Sequence, residues 1–246
     1  MKFLTGVDLR PHSDGALRYA AWLCAQIRAH GQEPQLLGRY VVESDKLRSL
    51  ADPDQIAEVE LAAKAALELA GSDSGARAQH ARLELRFDEV AEVSLNDLCA
   101  EHPDATALVI GRRARVAEEP IVRLGGTARR LTRNLPVPVI VTAPDLDPAM
   151  LGKGPIILAT DLDQDSEGAV AWARALASAM HRDLVLAHVV SMPDAWESYY
   201  SESVALDMAA RSLQAESERE LERWAGQHAF QGHKAVVRQG PVVGTL

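Results

Sequence analysis

The chain has 246 residues, of which 47% are apolar and 25% charged, a composition typical of a soluble globular protein with one large or two small domains. Its 35 acidic and 26 basic residues give a formal charge of −9, which disfavours broad binding to nucleic-acid phosphates or anionic membranes. Cys24 and Cys99 lie in apolar helical patterns, as expected of buried thiols in a reducing compartment. The chain starts without a secretory signal pattern, and no apolar run approaches the ~20 residues of a membrane span, so we expect a cytoplasmic protein.

Strands alternate with helices through the first part of the chain. We predict strands at Met1–Val7, Gln35–Val42, Arg82–Phe87, Thr106–Ile110 and Val137–Thr142, and helices at Ser13–His30, Ile56–Ala70, Val93–Glu101 and Thr127–Asn134. Helical crossovers of this length join parallel strands, so the pattern predicts a parallel sheet covered by helices on both faces. Pro138 favours an edge position for the fifth strand.

The sequence repeats itself after the fifth strand. An offset of 153 positions, from Asp8 to Asp161, aligns Phe3–Leu9 with Ile156–Leu162 without a gap and pairs Gly15 with Gly168. Both copies have a buried strand, an aspartate, a short polar loop and then a helix. The repeat predicts two related domains, residues 1–144 and 154–246, joined by a linker rich in proline, aspartate and glycine.

The second copy follows the same order but is shorter. We predict strands at Ile156–Thr160, Leu184–Val190 and Ala235–Arg238, and helices at Ser166–Met180 and Val204–Ala225. The counterparts of the fourth and fifth strands are missing, which leaves the first strand of this copy as an open edge. We therefore expect either further residues after Leu246 in the native gene or another chain that covers this edge.

Glycines mark the end of the first copy. Gly111-Arg112-Arg113-Ala114 follows the fourth strand, and Gly125-Gly126-Thr127 begins the next helix. Backbone amides in a glycine turn and at a helix N-terminus can bind phosphate oxygens, and Thr127 adds a hydroxyl donor. A purely structural interpretation is that these glycines only permit a turn and a helix start.

These motifs resemble the end of a universal stress protein domain, which has a strand, a Gly-x-x-Gly loop, a spacer, Gly-Ser or Gly-Thr, a helix and a Pro-x-Pro-Val strand. The chain offers Gly111 to Ala114, then Gly126-Thr127, then Pro136-Val137-Pro138-Val139. The resemblance covers the whole first copy and the second as far as it goes. It implies two tandem doubly wound α/β domains, of the adenine nucleotide α-hydrolase-like or flavodoxin-like three-layer type, with strand order 3-2-1-4-5 in the first.

The resemblance also implies a nucleotide site in the first domain. In ATP-binding members, an aspartate after the first strand lies near the ribose and base, and backbone at the end of the second strand recognises adenine. The implied ligand is ATP with magnesium, bound for regulation in a stress-response protein. Its implied residues are Asp8, Val41, Gly111, Ala114, Gly125, Gly126 and Thr127. Asp161 and Val189 are the second-domain counterparts of Asp8 and Val41, without a phosphate-binding half.

Two departures from the family pattern favour a rival hypothesis. Ala114 replaces the second glycine, and the spacer before Gly126 is longer than the pattern. In the rival, the protein is a nucleotide-independent interaction or scaffold module for an unknown protein partner, and Asp8 and Asp161 only cap their loops. In either case we expect a homodimer or an intramolecular pseudo-dimer of the two domains.

The sequence gives little support for an enzyme. It contains no Gly-x-x-x-x-Gly-Lys-Ser/Thr loop, no Gly-x-Ser-x-Gly elbow and no histidines at metal-ligand spacing, so we assign no catalytic or metal-binding residue. A nucleotide hydrolase or transferase ranks last, with slow ATP hydrolysis at most. A receiver domain would need an acidic cluster, a phosphoacceptor aspartate after a middle strand and a lysine after the last strand, none of which is found.

Overall fold

The computed structural model describes residues 1–10, 14–44, 47, 53–88, 90–112, 124–134, 137–163, 166–191, 204–230 and 233–242. The chain divides into two compact units, Met1–Gly152 and Lys153–Leu246. Ser13, the first residue of a predicted helix, and Ala114, a predicted site residue, lie outside the described residues.

The first unit contains a five-stranded parallel sheet in the order β3-β2-β1-β4-β5, which confirms the predicted topology. Two short 3-10 turns, Arg77–Gln79 and Pro148–Met150, accompany its helices and strands. In chain order the elements are β1 Lys2–Val7, α1 Gly15–Ala29, β2 Gln35–Glu43, α2 Pro53–Asp73, β3 Arg82–Asp88, α3 Ala91–Glu101, β4 Ala107–Gly111, α4 Gly126–Asn134 and β5 Val139–Thr142.

The two central strands of this sheet are apolar because helices cover both of their faces. Phe3 and Leu4 of β1 and Leu108 and Val109 of β4 are fully buried. The register places Phe3 opposite Ala107 and Leu4 opposite Leu108. At the edge of the sheet, Pro138 precedes β5, where its missing N–H interrupts no ladder.

Helix α1 packs one face against this core. Leu17, Ala20, Cys24 and Ile27 are buried at helical spacing. The helix ends before Gly31, whose φ of +80° is readily adopted by glycine and rarely by other residues. The predicted end of this helix at His30 thus lies one residue beyond its observed end at Ala29.

The second unit contains a three-stranded parallel sheet in the order β6-β7-β8, and its core is formed around Leu158, Leu186, Leu221 and Phe230. Two α/β units with parallel sheets confirm the predicted fold class. The elements are β6 Ile156–Ala159, α5 Glu167–Ala179, β7 Leu184–Val190, α6 Val204–Gln227 and β8 Lys234–Gln239. Within the described part of the chain, no helix combines the length and apolar character needed to cross a membrane.

Candidate functional site

A cleft of about 850 Å³ lies at the carboxyl ends of the strands in the first unit. It contains all the predicted site residues that the structure describes. They come from the ends of three strands and from the start of one helix, and they are Asp8, Val41, Gly111, Gly125, Gly126 and Thr127. Residues far apart in the sequence thus line a single cleft, while Ala114 stays a prediction.

The cleft occupies the point where the strand order reverses. From β1 the chain turns to β2 on one side, and later to β4 on the other. The helical crossovers therefore lie on opposite faces of the sheet, and a crevice opens between the loops that follow β1 and β4. Asp8 directly follows β1, and Gly111 ends β4.

The glycines of the cleft have open space at their Cβ positions. Among the described residues, a Cβ at Gly111 or Gly125 would meet no atom within 4 Å, and one at Gly126 would approach only Arg130 Nη1, at 3.5 Å. None of the three has a φ in the left-handed region. Among the described residues, neither packing nor backbone strain requires glycine at these three positions.

The N-terminus of α4 supplies the donors on this side of the cleft. The first amides of a helix have no intrahelical acceptor, and the helix dipole adds partial positive charge there. Arg129 N–H already donates to Gly125 O at 3.0 Å, so the helix is regular from its first turn. Arg130 forms an ion pair with Glu92, which connects α4 to α3.

Asp8 is bound by a neighbouring residue. Its Oδ1 accepts the backbone N–H of Arg10 at 3.0 Å, and its two carboxylate oxygens accept Arg10 Nε–H at 3.0 and 2.8 Å. Arg10 Nη2 donates to Asp8 Oδ2 as well. These hydrogen bonds and the charge of Asp8 raise the pKa of Arg10. The loop-capping role proposed for Asp8 therefore exists alongside its place in the cleft.

Strand β2 forms the opposite wall with Tyr40 and Val41. Burial raises the pKa of Tyr40, and the charge of Asp8 adds to this effect. Sequence reasoning identified Val41 but missed Tyr40. The sequence signal for Tyr40 was its place next to Val41, the predicted backbone contact, near the carboxyl end of a strand.

Arg39 lies beneath this wall and was also missed. Its side chain is only 3% exposed, and it binds Glu84 Oε1 at 2.5 Å, Glu101 Oε2 at 2.8 Å and Ser94 O at 2.7 Å. These contacts connect β2 to β3 and to α3, whose residues Ala91 and Leu95 also line the cleft. An isolated arginine inside an apolar strand was the sequence signal, since a buried guanidinium needs buried partners.

The second unit repeats the aspartate turn. Asp161 Oδ1 accepts the backbone N–H of Asp163 at 3.2 Å, as Asp8 accepts that of Arg10. His188 Nδ1 lies 2.8 Å from Thr160 O, which ties the ends of β6 and β7 together. Among the residues that the structure describes, no glycine-rich cradle faces Asp161.

The sequence profile described as "Universal stress protein family" matches residues 1–143 and 154–245, nearly the whole chain. The chain belongs to the universal stress protein family. Its two matched segments correspond to the two units and make it a tandem universal stress protein. No curated protein matches the sequence significantly.

Solved structures share the fold of this universal stress protein. A universal stress protein from Archaeoglobus fulgidus DSM 4304 superimposes with a TM-score of 0.60 at 17% identity, covering 98% of this chain and 79% of that one. A functionally unknown protein from Pseudomonas aeruginosa PAO1 gives a TM-score of 0.51 at 14% identity, with 98% and 74% coverage. A putative universal stress protein from Pseudomonas aeruginosa UCBPP-PA14 gives 0.50 at 15% identity, with the same coverage. At these identities the likeness concerns the fold alone.

Proposed function

We propose that this universal stress protein is a cytoplasmic stress-response protein that binds ATP as a regulatory ligand in the cleft of its first domain. One observation carries the proposal. Residues that the family pattern assigns to a nucleotide site lie together in one cleft at the switch point of the sheet, namely Asp8, Val41, Gly111, Gly125, Gly126 and Thr127.

The proposed contacts follow from the chemistry of each wall. The amides of Gly111, Gly125 and Gly126 and the hydroxyl of Thr127 would bind phosphate oxygens. On the other side, the Asp8 carboxylate would accept ribose hydroxyls. The backbone at Val41 would recognise the adenine edge, with the Tyr40 ring providing apolar contact.

Magnesium would enter with the nucleotide. Among the described residues, no three acidic, histidine or cysteine side chains are grouped to hold a metal ion. The phosphates themselves would therefore supply most of its ligands, since Mg²⁺ is usually bound through substrate phosphates and one or two carboxylates.

A regulatory role fits the cleft better than rapid hydrolysis. Asp8 and Glu43 are the carboxylates among its described lining residues. In the proposed complex the Asp8 carboxylate accepts the ribose hydroxyls, whereas a general base must lie within hydrogen-bond reach of the water that attacks the phosphate. We propose at most slow turnover, with the bound nucleotide acting through the conformation of the cleft.

Calorimetry with ATP and magnesium tests this proposal on the full chain. Gly126→Trp places an indole in the cleft without a backbone clash, because a Cβ there meets only the end of the Arg130 side chain. Gly168→Trp is the matched control, since Gly168 also lies in the first turn of a helix and no described atom lies within 4 Å of its Cβ position. Binding by the wild type and by Gly168→Trp, abolished in Gly126→Trp, supports the proposal, and absence of binding by the folded wild type refutes it.

A second candidate function is a nucleotide-independent interaction module. It is favoured by the Asp8–Arg10 pair, which already satisfies the aspartate without a ligand. Large apolar side chains near β3, including Phe87, Val90 and Val93, are between 40% and 47% exposed and would suit a protein partner. This second function is favoured if calorimetric titration of the folded wild type with ATP and magnesium shows no binding.

A further inference from the structure

Arg10 is a cleft residue that the family pattern does not assign. Its guanidinium lies along the Asp8 carboxylate, with Nε–H donated to both oxygens and Nη2 to Oδ2. The Arg10 side chain is 82% exposed and that of Asp8 is 34% exposed. A solvent-exposed ion pair contributes little net free energy, so an incoming ligand can displace it at low cost.

The guanidinium is not needed for the loop itself. In the second domain the equivalent turn forms with Asp163 at the position of Arg10, and Asp161 Oδ1 accepts the Asp163 N–H at 3.2 Å. The corresponding distance from Asp8 Oδ1 to the Arg10 N–H is 3.0 Å. The turn therefore requires only the aspartate and a backbone N–H. The arginine side chain is specific to the first domain, which also contains the cleft glycines Gly111, Gly125 and Gly126.

The other two arginines among the described lining residues have other partners. Arg39 uses Nε, Nη1 and Nη2 to bind Glu84, Ser94 and Glu101, and it is buried. Arg112 donates its backbone N–H to Thr142 O and has further contacts. Arg10 is held only by Asp8 in its described contacts, and Asp8 is itself a predicted ligand residue.

The charge of the cleft gives this arginine a role. The described cleft lining contains two carboxylates, Asp8 and Glu43, and three arginines, Arg10, Arg39 and Arg112, of which Arg39 is paired with Glu84 and Glu101. A polyphosphate that approaches Asp8 is repelled by its carboxylate unless a nearby cation compensates for that charge. Guanidinium binds carboxylate and phosphate oxygens with the same two-donor geometry, so Arg10 can exchange one for the other.

We propose that Arg10 makes the cleft selective for phosphorylated nucleotides by exchanging partners when the ligand binds. Without ligand it neutralises Asp8. With ligand it turns to the phosphate chain, and the vacated Asp8 oxygens accept the ribose hydroxyls. This inference rests on the proposed function, because it concerns how the same cleft distinguishes ATP from adenosine.

Calorimetry with ATP and with adenosine, each titrated into wild type and Arg10→Gln, tests the exchange. We expect Arg10→Gln to weaken ATP binding about 10- to 100-fold, the range for a charge-assisted hydrogen bond, and to flatten its dependence on salt concentration. Adenosine binding should stay equal or become tighter, because Asp8 loses a competitor. Arg18→Gln is the matched control, since Arg18 forms an ion pair with Asp14 on α1 outside the residues that line the cleft.

The outcomes separate this inference from the proposed function. If wild type binds ATP and Arg10→Gln weakens ATP and adenosine equally, Arg10 has a structural role and the exchange is wrong. Unchanged ATP binding in Arg10→Gln refutes it as well. If folded wild type binds neither ligand, the proposed function fails, and the exchange fails with it.

Discussion

Gly15 lies against the backbone of Ala143 so closely that a Cβ on Gly15 would stand 2.1 Å from the Ala143 carbonyl oxygen. The Gly15 N–H also donates to Pro144 O at 2.9 Å. This contact joins the N-terminus of α1 to the segment that follows β5. Because Pro144 lines the cleft, the contact also fixes part of its rim.

We expect Gly15→Ala to destabilise the first domain by about 1–3 kcal/mol, because the added methyl group forces the backbone apart. Gly168, its partner in the internal repeat, is the matched control, since its Cβ position has no atom of the described residues within 4 Å. Gly168→Ala should be neutral or stabilise the second domain by up to about 1 kcal/mol. Urea denaturation of both variants measures the difference, and equal midpoints would contradict the contact.

The two cysteines should be inert in the folded protein. Both are fully buried, and burial raises the pKa of Cys24 and of Cys99 to about 11. At neutral pH they are protonated and inaccessible, so a thiol reagent should label neither until the first domain unfolds. Rapid labelling of either thiol under native conditions would show that this core opens.

The same shifts predict a loss of stability in alkali. The folded pKa of each thiol, about 11, lies above its ordinary value of 9.0, so the contribution of the protonated thiols is complete below about pH 9 and is lost as the pH rises towards 11. The double variant Cys24→Ala, Cys99→Ala should show a smaller decrease in stability over this interval. Parallel pH titrations of the denaturation midpoint measure this, and identical slopes would refute it.

Thr5 contains a buried hydroxyl, and its Oγ1 has no hydrogen-bond partner among the described residues. Thr5→Val removes this unsatisfied group while keeping its shape, so we expect stabilisation of about 1 kcal/mol. Thr142 is the control, because its buried hydroxyl donates to Ile110 O at 3.4 Å. Thr142→Val should instead cost up to about 1 kcal/mol, and a thermal shift of the same sign in both variants would contradict the assignment.

The buried side chain of Arg39 should contribute strongly to the stability of the first domain. Arg39→Met removes the guanidinium that connects Glu84, Glu101 and Ser94, and we expect a loss of about 2–4 kcal/mol. Arg77, which pairs with Glu68 on the exposed surface, is the control, and Arg77→Met should change stability by less than about 1 kcal/mol. A neutral Arg39→Met would show that apolar packing replaces the network fully.

The sheet of the first domain was predictable because its signals are local. The alternation of strands and helices predicted a parallel sheet covered on both faces, Pro138 favoured an edge position for β5, and the resemblance to the family implied the strand order that the structure confirms. The repeat also located the second domain. The repeat did not predict that Gly15 and Gly168 differ in the space at their Cβ positions, since the crowding at Gly15 comes from Ala143, which is distant in sequence.

The residues of the cleft that are glycines or that end strands were predictable from the sequence. Those that belong to it through side-chain contacts were not. Gly111, Gly125 and Gly126 followed from backbone chemistry. Arg10 escaped because an arginine in a polar loop is usually solvated, and its pairing with Asp8 depends on the conformation of the turn. Such contacts arise from the three-dimensional arrangement and leave no periodic signal.

Amide chemical shifts of the isotopically labelled full chain during titration with ATP and magnesium report directly on nucleotide binding in the first-domain cleft. We expect saturable shifts at Gly111, Gly125, Gly126 and Thr127, with little change at Asp161 in the second domain. Shifts confined to the second domain, or no shifts at all in a folded protein, would contradict nucleotide binding in the first-domain cleft.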